Sequence, residues 1–283
     1  MSELNFEVRW MTPSEVGIAI EWAASEGWNP GLHDAQCFYR ADPSGFIIGL
    51  LDGVPIAVIS AVKYSSTFGF IGFYIVKPGY RGKNYGPLIG KAALAYLEGC
   101  NVGLDGVVEK QLNYQSLGFK MAYRNIRYQG FGGGTFPANS AIVRLDTVPF
   151  EELCAYDKPF FPALRRDFLK CWVEQPQSEA LGILDNGKVA GYGVIRTCRS
   201  GFKIGPLFAD KPEYAELLFL GLKSFASNDS LVFLDVPEIN NDAVALAIRH
   251  KMTISFETAR MYTGPFPDLP LDRLYGVTSF EIG

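Results

Sequence analysis

Apolar positions along this chain recur with two periods, one helical and one alternating, and the changes between them mark out its elements. Thr12-Pro13-Ser14-Glu15 supplies an N-cap, a proline at the first helical position and a glutamate three residues after the cap. Val16, Ile18, Ile20, Trp22 and Ala23 then give a broad apolar helical face that Gly27 ends. Trp28-Asn29-Pro30-Gly31 is turn chemistry, and a short helix is expected over Asp34 to Tyr39. Gly45–Leu51 and Val54–Tyr64, joined by Asp52-Gly53, predict a β-hairpin, and Gly69–Val76 predicts a further apolar strand. Leu88, Ile89, Ala92, Ala95 and Tyr96 lie at helical spacing within Pro87–Leu97. A strand at Val102–Val107, a short helix at Lys110–Leu117 stopped by Gly118, and a strand at Phe119–Tyr128 follow.

The periodicity then lapses. Gly130-Phe131-Gly132-Gly133-Gly134-Thr135-Phe136-Pro137 has the composition of a linker. Beyond it the order of elements repeats. Ala180–Leu184 and Val189–Arg196 flank an Asn186-Gly187 turn, and Phe202–Phe208 stands where Gly69–Val76 stood. A helix at Glu213–Ala226, a strand at Ser230–Val236, a helix at Asn241–Arg249 and a strand at Thr253–Tyr262 complete it. Two copies of one α/β unit with a mixed sheet account for this pattern. The expected organisation is a first unit over 1–130, a glycine-rich linker over 131–141 and a second unit over 142–283.

A length of 283 residues suits two such units. A net charge of −4, with no long basic run, lacks the electrostatic footprint of a nucleic-acid binder. No apolar stretch is long enough to span a bilayer, and Met1–Phe6 lacks the basic-then-apolar pattern of a signal peptide. The five cysteines, Cys37, Cys100, Cys154, Cys171 and Cys198, are scattered and form no CxxC, so neither a zinc site nor a disulfide framework is expected. His33 and His250 are the only histidines, which leaves no room for a histidine-rich metal centre and points away from a Ser-His-Asp triad. A reducing, cytoplasmic setting is the expectation.

The candidate chemistry sits between the Gly69–Val76 strand and the Pro87 helix. Arg81-Gly82-Lys83-Asn84-Tyr85-Gly86 is a loop feeding a helix N-terminus, where backbone N–H groups and the helix dipole favour an anion. Its glycines allow close approach, Asn84 tolerates a left-handed backbone, and Arg81 and Lys83 add charge. The Walker pattern is absent, since Gly90-Lys91 is followed by Ala92, and no GxGxxG occurs here.

Tyr80–Gly86 resembles the Arg-x-x-Gly-x-Gly/Ala loop of the GNAT superfamily of N-acetyltransferases, with Asn84 where that family usually has glycine. Asn113-Tyr114-Gln115-Ser116-Leu117-Gly118-Phe119 is similar to the family's Tyr-x-x-x-Gly-Phe ending, and the order of elements from Val8 to Tyr128 also matches. The resemblance implies a tandem duplication of the GNAT fold, with a catalytic first copy and a degenerate second one. It implies that acetyl-CoA binds through its pyrophosphate on Arg81, Gly82, Lys83, Asn84, Tyr85, Gly86 and Pro87. Pantetheine would lie along a bulged strand end at Tyr74, Ile75 and Val76, with Asn113 alongside. The implied reaction is transfer of an acetyl group to a primary amine of a small molecule, with a Val76 N–H serving the oxyanion and Tyr114 protonating the leaving thiolate. A catalytically silent acyl-CoA sensor is the alternative.

No general base stands out; Asp34, Glu109 and Asp105 are candidates, as are His33 and a water chain, and no base is needed if the amine arrives partly neutral. Acceptor recognition is expected from Trp28, Asn29 and Asp34, and from the second half, where Arg165, Arg166, Glu238 and Asn240 are candidates to face the substrate. At the place equivalent to the phosphate loop the second half reads Ala209–Glu216, with three acids and no glycine pair, which disfavours a pyrophosphate. The Leu271–Gly276 segment is expected to pack back on the sheets.

Overall fold

The computed structural model describes residues 5–283, so of the Met1–Phe6 stretch only Asn5 and Phe6 are described. The first half runs β1 (Phe6–Trp10), α1 (Val16–Ser25), α2 (Asp34–Ala41), β2 (Phe46–Leu51), β3 (Val54–Lys63), β4 (Phe68–Val76), α3 (Tyr85–Tyr96), β5 (Asn101–Val107), α4 (Gln111–Ser116) and β6 (Lys120–Phe131). The second runs β7 (Ile142–Arg144), α5 (Phe150–Asp157), α6 (Arg166–Val173), β8 (Ser178–Asp185), β9 (Lys188–Thr197), β10 (Phe202–Ala209), α7 (Pro212–Lys223), β11 (Leu231–Pro237), α8 (Asn241–Arg249), β12 (Thr253–Tyr262) and β13 (Leu274–Gly276). The duplication is present, and residues 132–139 carry no regular structure. Both hairpin turns are set by local chemistry: Asp52, Gly53, Asn186 and Gly187 all have positive φ, as the two-residue turn demands.

One sheet joins the halves, in the order β1-β2-β3-β4-β5-β12-β6-β11-β10-β9-β8-β7. Two like units laid side by side would each keep their own last strand. Here the last strands are exchanged. β12 pairs antiparallel with β5 of the first half, and β6 pairs antiparallel with β11 of the second. The exchange is fastened by two ion pairs in equivalent places. Arg260 on β12 lies opposite Asp105 on β5, with Nε–Oδ1 2.8 Å and Nη2–Oδ2 2.6 Å. Arg127 on β6 lies opposite Asp235 on β11, with Nε–Oδ1 2.6 Å and Nη2–Oδ2 2.8 Å. All four side chains are buried. Bidentate geometry of this kind orients as well as attracts, so it fixes the register of the exchanged strands.

A single core crosses the junction. Phe38 of α2 stacks on Trp172 of α6, and Phe46, Phe73, Tyr192, Phe208 and Phe280 belong to the same buried cluster. Cys37 of α2 and Cys171 of α6 form a disulfide, Cα–Cα 5.2 Å, against the expectation of free thiols. The two cysteines are 134 residues apart, the same offset that relates Asp52-Gly53 to Asn186-Gly187, so they are equivalent positions of the repeat meeting at its pseudo-dyad. The absence of a CxxC or other local cysteine pair gave no hint of this, because the bond joins two helices brought together only by the duplication.

Candidate active site

The site begins with a break in β4. Ser60 is opposite Gly72, but Val58 is opposite Ile75, so β4 carries one extra residue between these pairs. Phe73 takes up the distortion with φ of 48°. β4 and β5 are hydrogen-bonded only from Phe68–Asn101 to Ile71–Leu104. Past the bulge they splay, which leaves a wedge between Gly72–Val76 and Asp105–Val107. The Lys77 N–H donates to the Ile56 carbonyl at 2.9 Å, which makes Ala57 and Val76 a non-hydrogen-bonded pair. The N–H and C=O of Val76 therefore turn toward the wedge. The carbonyl accepts from Arg81 Nε at 2.7 Å, and the N–H remains to meet a ligand.

The wedge opens into a cavity of about 610 Å³, within the usual range of ligand pockets. It brings together Tyr74, Ile75 and Val76 of β4, Arg81, Gly82, Asn84, Gly86 and Pro87 of the loop and helix, and Asn113 and Tyr114 of α4, along with Trp28. The loop has the geometry its residues favour. Gly82 and Asn84 have φ of 76° and 69°, and Asn84 is the N-cap of α3, so the free amides at the start of α3 face the cavity mouth. Gly86 is required by its neighbour, because a Cβ there would stand 2.9 Å from the Tyr74 hydroxyl. Gly106 does the same for Tyr114, whose ring packs directly over it. Burial, with the neighbouring Tyr74, pushes the Tyr114 hydroxyl up to about 12, so it carries its proton throughout the neutral range. Burial raises Tyr74 as well.

Arg81 also donates to Glu26, another residue of the cavity wall. The guanidinium is 49% exposed, and an exposed ion pair is worth at most about 1 kcal/mol, so an incoming anion can draw it away. Residues of the loop that do not line the cavity have structural partners. Lys83 lies over the Tyr80 ring at 5.6 Å, and Tyr85 packs on Phe6 at 4.7 Å.

Two acceptor-side expectations fail. Asn29, with φ of 53°, uses its amide to hold the Ser200 backbone, through 2.9 Å bonds to both its carbonyl and its N–H. Asp34 is fully buried, bound to Arg196 Nε at 2.9 Å and to the Gly31 N–H at 2.8 Å. Both pin the halves together and lie outside the cavity lining. Of the base candidates, Asp105 lines the cavity but is held by Arg260 and Asn125. His33 lies against Gln177, and neither it nor Glu109 lines the cavity. In the second half, Arg165 pairs with Asp157, Arg166 with Glu151, Glu238 accepts from the Arg124 N–H, and Asn240 caps α8. None of these four reaches the cavity.

The second half contributes by another route. Its β10 and β11 also splay, after Ile204–Leu234, but there β13 enters the gap. β13 pairs with β10, and the Val277 N–H donates to the Asp235 carbonyl at 2.9 Å. The chain then crosses to the first half, where Phe280 and Glu281 become cavity wall beside Phe256 and Thr258 of β12. No local motif announces these four residues. The one available signal was the repeated Leu-Asp of β5 and β11, matched by an arginine in each final strand.

Comparison with known proteins agrees with this architecture. Residues 14–119 match the model of the acetyltransferase (GNAT) family, and residues 153–276 match a model described as an acetyltransferase (GNAT) domain. The chain is 28% identical over 266 residues to the holothin acyltransferase of Pseudoalteromonas sp. (strain SANK 73390), covering 94% of this chain and 90% of that one. Among solved structures, a candidate acetyltransferase from Pyrococcus horikoshii superposes with a TM-score of 0.83 at 21% identity, covering 98% and 96% of the two chains. A tandem GNAT protein from the clavulanic acid biosynthesis pathway superposes with a TM-score of 0.64 at 12% identity, covering 93% and 100%. No helix among the described residues is long and apolar enough to cross a membrane. With both halves matched and the bulged, splayed strand pair intact in the first, this chain belongs to the GNAT superfamily, as an acyltransferase built from two tandem GNAT domains.

Proposed function

We propose that this chain transfers an acetyl group from acetyl-CoA to the primary amine of a small molecule, by direct attack within a ternary complex. The observation that carries the reading is the open wedge between β4 and β5, with a phosphate-type loop at one end and Tyr114 on its wall. The wedge suits pantetheine because it leaves strand-edge groups unpaired, as a pantetheine amide requires. The loop amides and Arg81 suit a pyrophosphate. When bound, the thioester supplies an activated acyl carbon. The Val76 N–H is positioned to donate to a developing oxyanion, and Tyr114 keeps a proton available for a leaving thiolate. Asn113 is suited to hold the cofactor arm.

In this reading 1–130 carries the catalytic groups, and 142–283 is a degenerate copy that shapes the acceptor side. With β13 in its gap, the second copy lacks the open wedge of the first, which supports one acyl-CoA per chain. A small acceptor is supported by the bounded volume of the cavity, about 610 Å³. A cytoplasmic setting, where acyl-CoA is available, fits the reaction. The test is thiol release from acetyl-CoA with a panel of amines. Tyr114→Phe should slow turnover by roughly 100-fold or more while acetyl-CoA affinity changes little. Binding without turnover, and indifference to Tyr114→Phe, would leave a silent acyl-CoA sensor instead.

A further inference from the structure

Glu281 is the cavity's unexplained residue. It is 3% exposed and lines the cavity, and its Oε2 is buried with no hydrogen-bond partner. The Thr258 Oγ1, on the same cavity wall and 2% exposed, is a second orphan. A buried polar atom left unmatched is costly, so two such atoms beside one cavity single out this wall as more than apolar packing. The other carboxylates of the cavity are taken: Asp105 by Arg260 and Asn125, Glu26 by Arg81. Arg127, Arg196 and Lys203 all sense the charge of Glu281. The first two are already paired, with Asp235 and Asp34. Lys203 is buried without a hydrogen-bond partner; burial lowers its pKa, and the charge of Glu281 acts against that shift.

The backbone of Glu281 is also held in place. The Glu281 N–H donates to Ser279 Oγ at 3.2 Å, and Ser60 Oγ donates to the Glu281 carbonyl at 3.4 Å. That carbonyl lies directly against Gly72, where any side chain would collide with it. Glu281 is thus seated at the β4 bulge, on the same wedge as Tyr114 and Val76. Trp28, Phe73, Phe256 and Phe280 line the same cavity.

Resting on the acyl-transfer reading, we infer that Glu281 receives the acceptor's amine, and that the acceptor is a primary amine carried on a flat apolar body. The carboxylate binds the ammonium and takes one proton from it. As the nitrogen bonds to the acyl carbon, the C–S bond breaks, the thiolate gains the Tyr114 proton, and the remaining excess amine proton restores Tyr114 through solvent. Glu281 then gives up its own proton to solvent.

The test compares the wild type with Glu281→Gln and Glu281→Asp, using 2-phenylethylamine and spermidine as probes on CoA-saturated protein. Calorimetry should show 2-phenylethylamine bound in preference to spermidine, and bound about tenfold or more weakly by Glu281→Gln, with CoA affinity unchanged. Thiol release should fall on the order of 100-fold in kcat/KM, losing the acidic limb of its pH profile, and Glu281→Asp should recover part of both. Undiminished amine binding and an unchanged pH profile in Glu281→Gln overturn the assignment while leaving acyl transfer standing. Amine binding that depends on Glu281 without any thiol release overturns acyl transfer and leaves the amine site standing. A wild type that binds neither probe overturns the inference.

Discussion

Replacing Asp235 by alanine should destabilise the whole molecule, not one half of it. Asp235 and Arg127 are 1% and 3% exposed, joined by bonds of 2.6 and 2.8 Å. Arg127 is further fixed by a 2.8 Å bond to the Trp28 carbonyl and by the rings of Phe256 and Phe280, 5.6 and 4.9 Å from its guanidinium carbon. It cannot follow water outward when its partner is removed. An uncompensated buried charge costs about 3–5 kcal/mol. At roughly 2–3 °C per kcal/mol for a chain of this size, the thermal midpoint should drop by about 10 °C. Burial alone would raise the Asp235 carboxyl, but the Arg127 charge and hydrogen bonds, helped by Lys203 and Arg196, hold it below its ordinary value. A depressed folded-state pKa means that the contribution is present above pH ~4 and is lost as pH falls further. The gap between wild type and Asp235→Ala should therefore narrow below pH 4. The assay is denaturant unfolding followed by far-UV and tryptophan signals. Arg127→Leu/Asp235→Leu should recover much of the loss, since removing both charges removes the unmatched one. A cost below about 1 kcal/mol for Asp235→Ala, or a double variant as unstable as the two single losses added together, would refute the argument.

Other outcomes follow from named contacts. Arg81→Glu should weaken acetyl-CoA binding at least about tenfold, with a shallower salt dependence than the wild type, read by calorimetry. Glu15 is lowered to about 2 by its bonds to Arg9 and the Thr12 N–H. Its stabilising contribution should be whole above pH 4.5 and vanish as pH falls toward 2, so the stability gap to Glu15→Gln should close over that window. Reduction of Cys37–Cys171 releases a loop spanning 134 residues, worth up to about 5 kcal/mol by chain entropy. Reductant should lower the thermal midpoint of the wild type and leave that of Cys37→Ser/Cys171→Ser unchanged.

The elements and the cofactor loop were legible because local chemistry sets them. Asp52-Gly53 and Asn186-Gly187 had to be turns, and Asn84 was the loop residue best able to take φ of 69°. Tyr114 was found through the resemblance of Asn113–Phe119 to the Tyr-x-x-x-Gly-Phe ending of the GNAT family. The strand exchange was not legible, since β5 and β11 present like edges with an aspartate each, and β6 and β12 both carry the matching arginine. Local pattern cannot say which of two equivalent edges a strand joins. Asn29 and Asp34 misled for a related reason: polar residues beside a candidate pocket can equally be tying two halves together. Glu281 escaped notice because its role depends on where a segment without periodicity crosses the pseudo-dyad.

The exchanged strands also set the order in which the molecule can be finished during synthesis. Once β5 has emerged from the ribosome, the strand beside it in the native sheet is β12 rather than β6. At ~5–20 residues per second that strand follows on the order of ten seconds later. Until then the nascent first half holds an open β-edge, with the walls given by Thr258 and Glu281 still unmade. A half-made chain therefore presents the loop and the β4 side of the wedge without the wall that Phe256, Thr258, Phe280 and Glu281 complete, and with an edge for other strands to find.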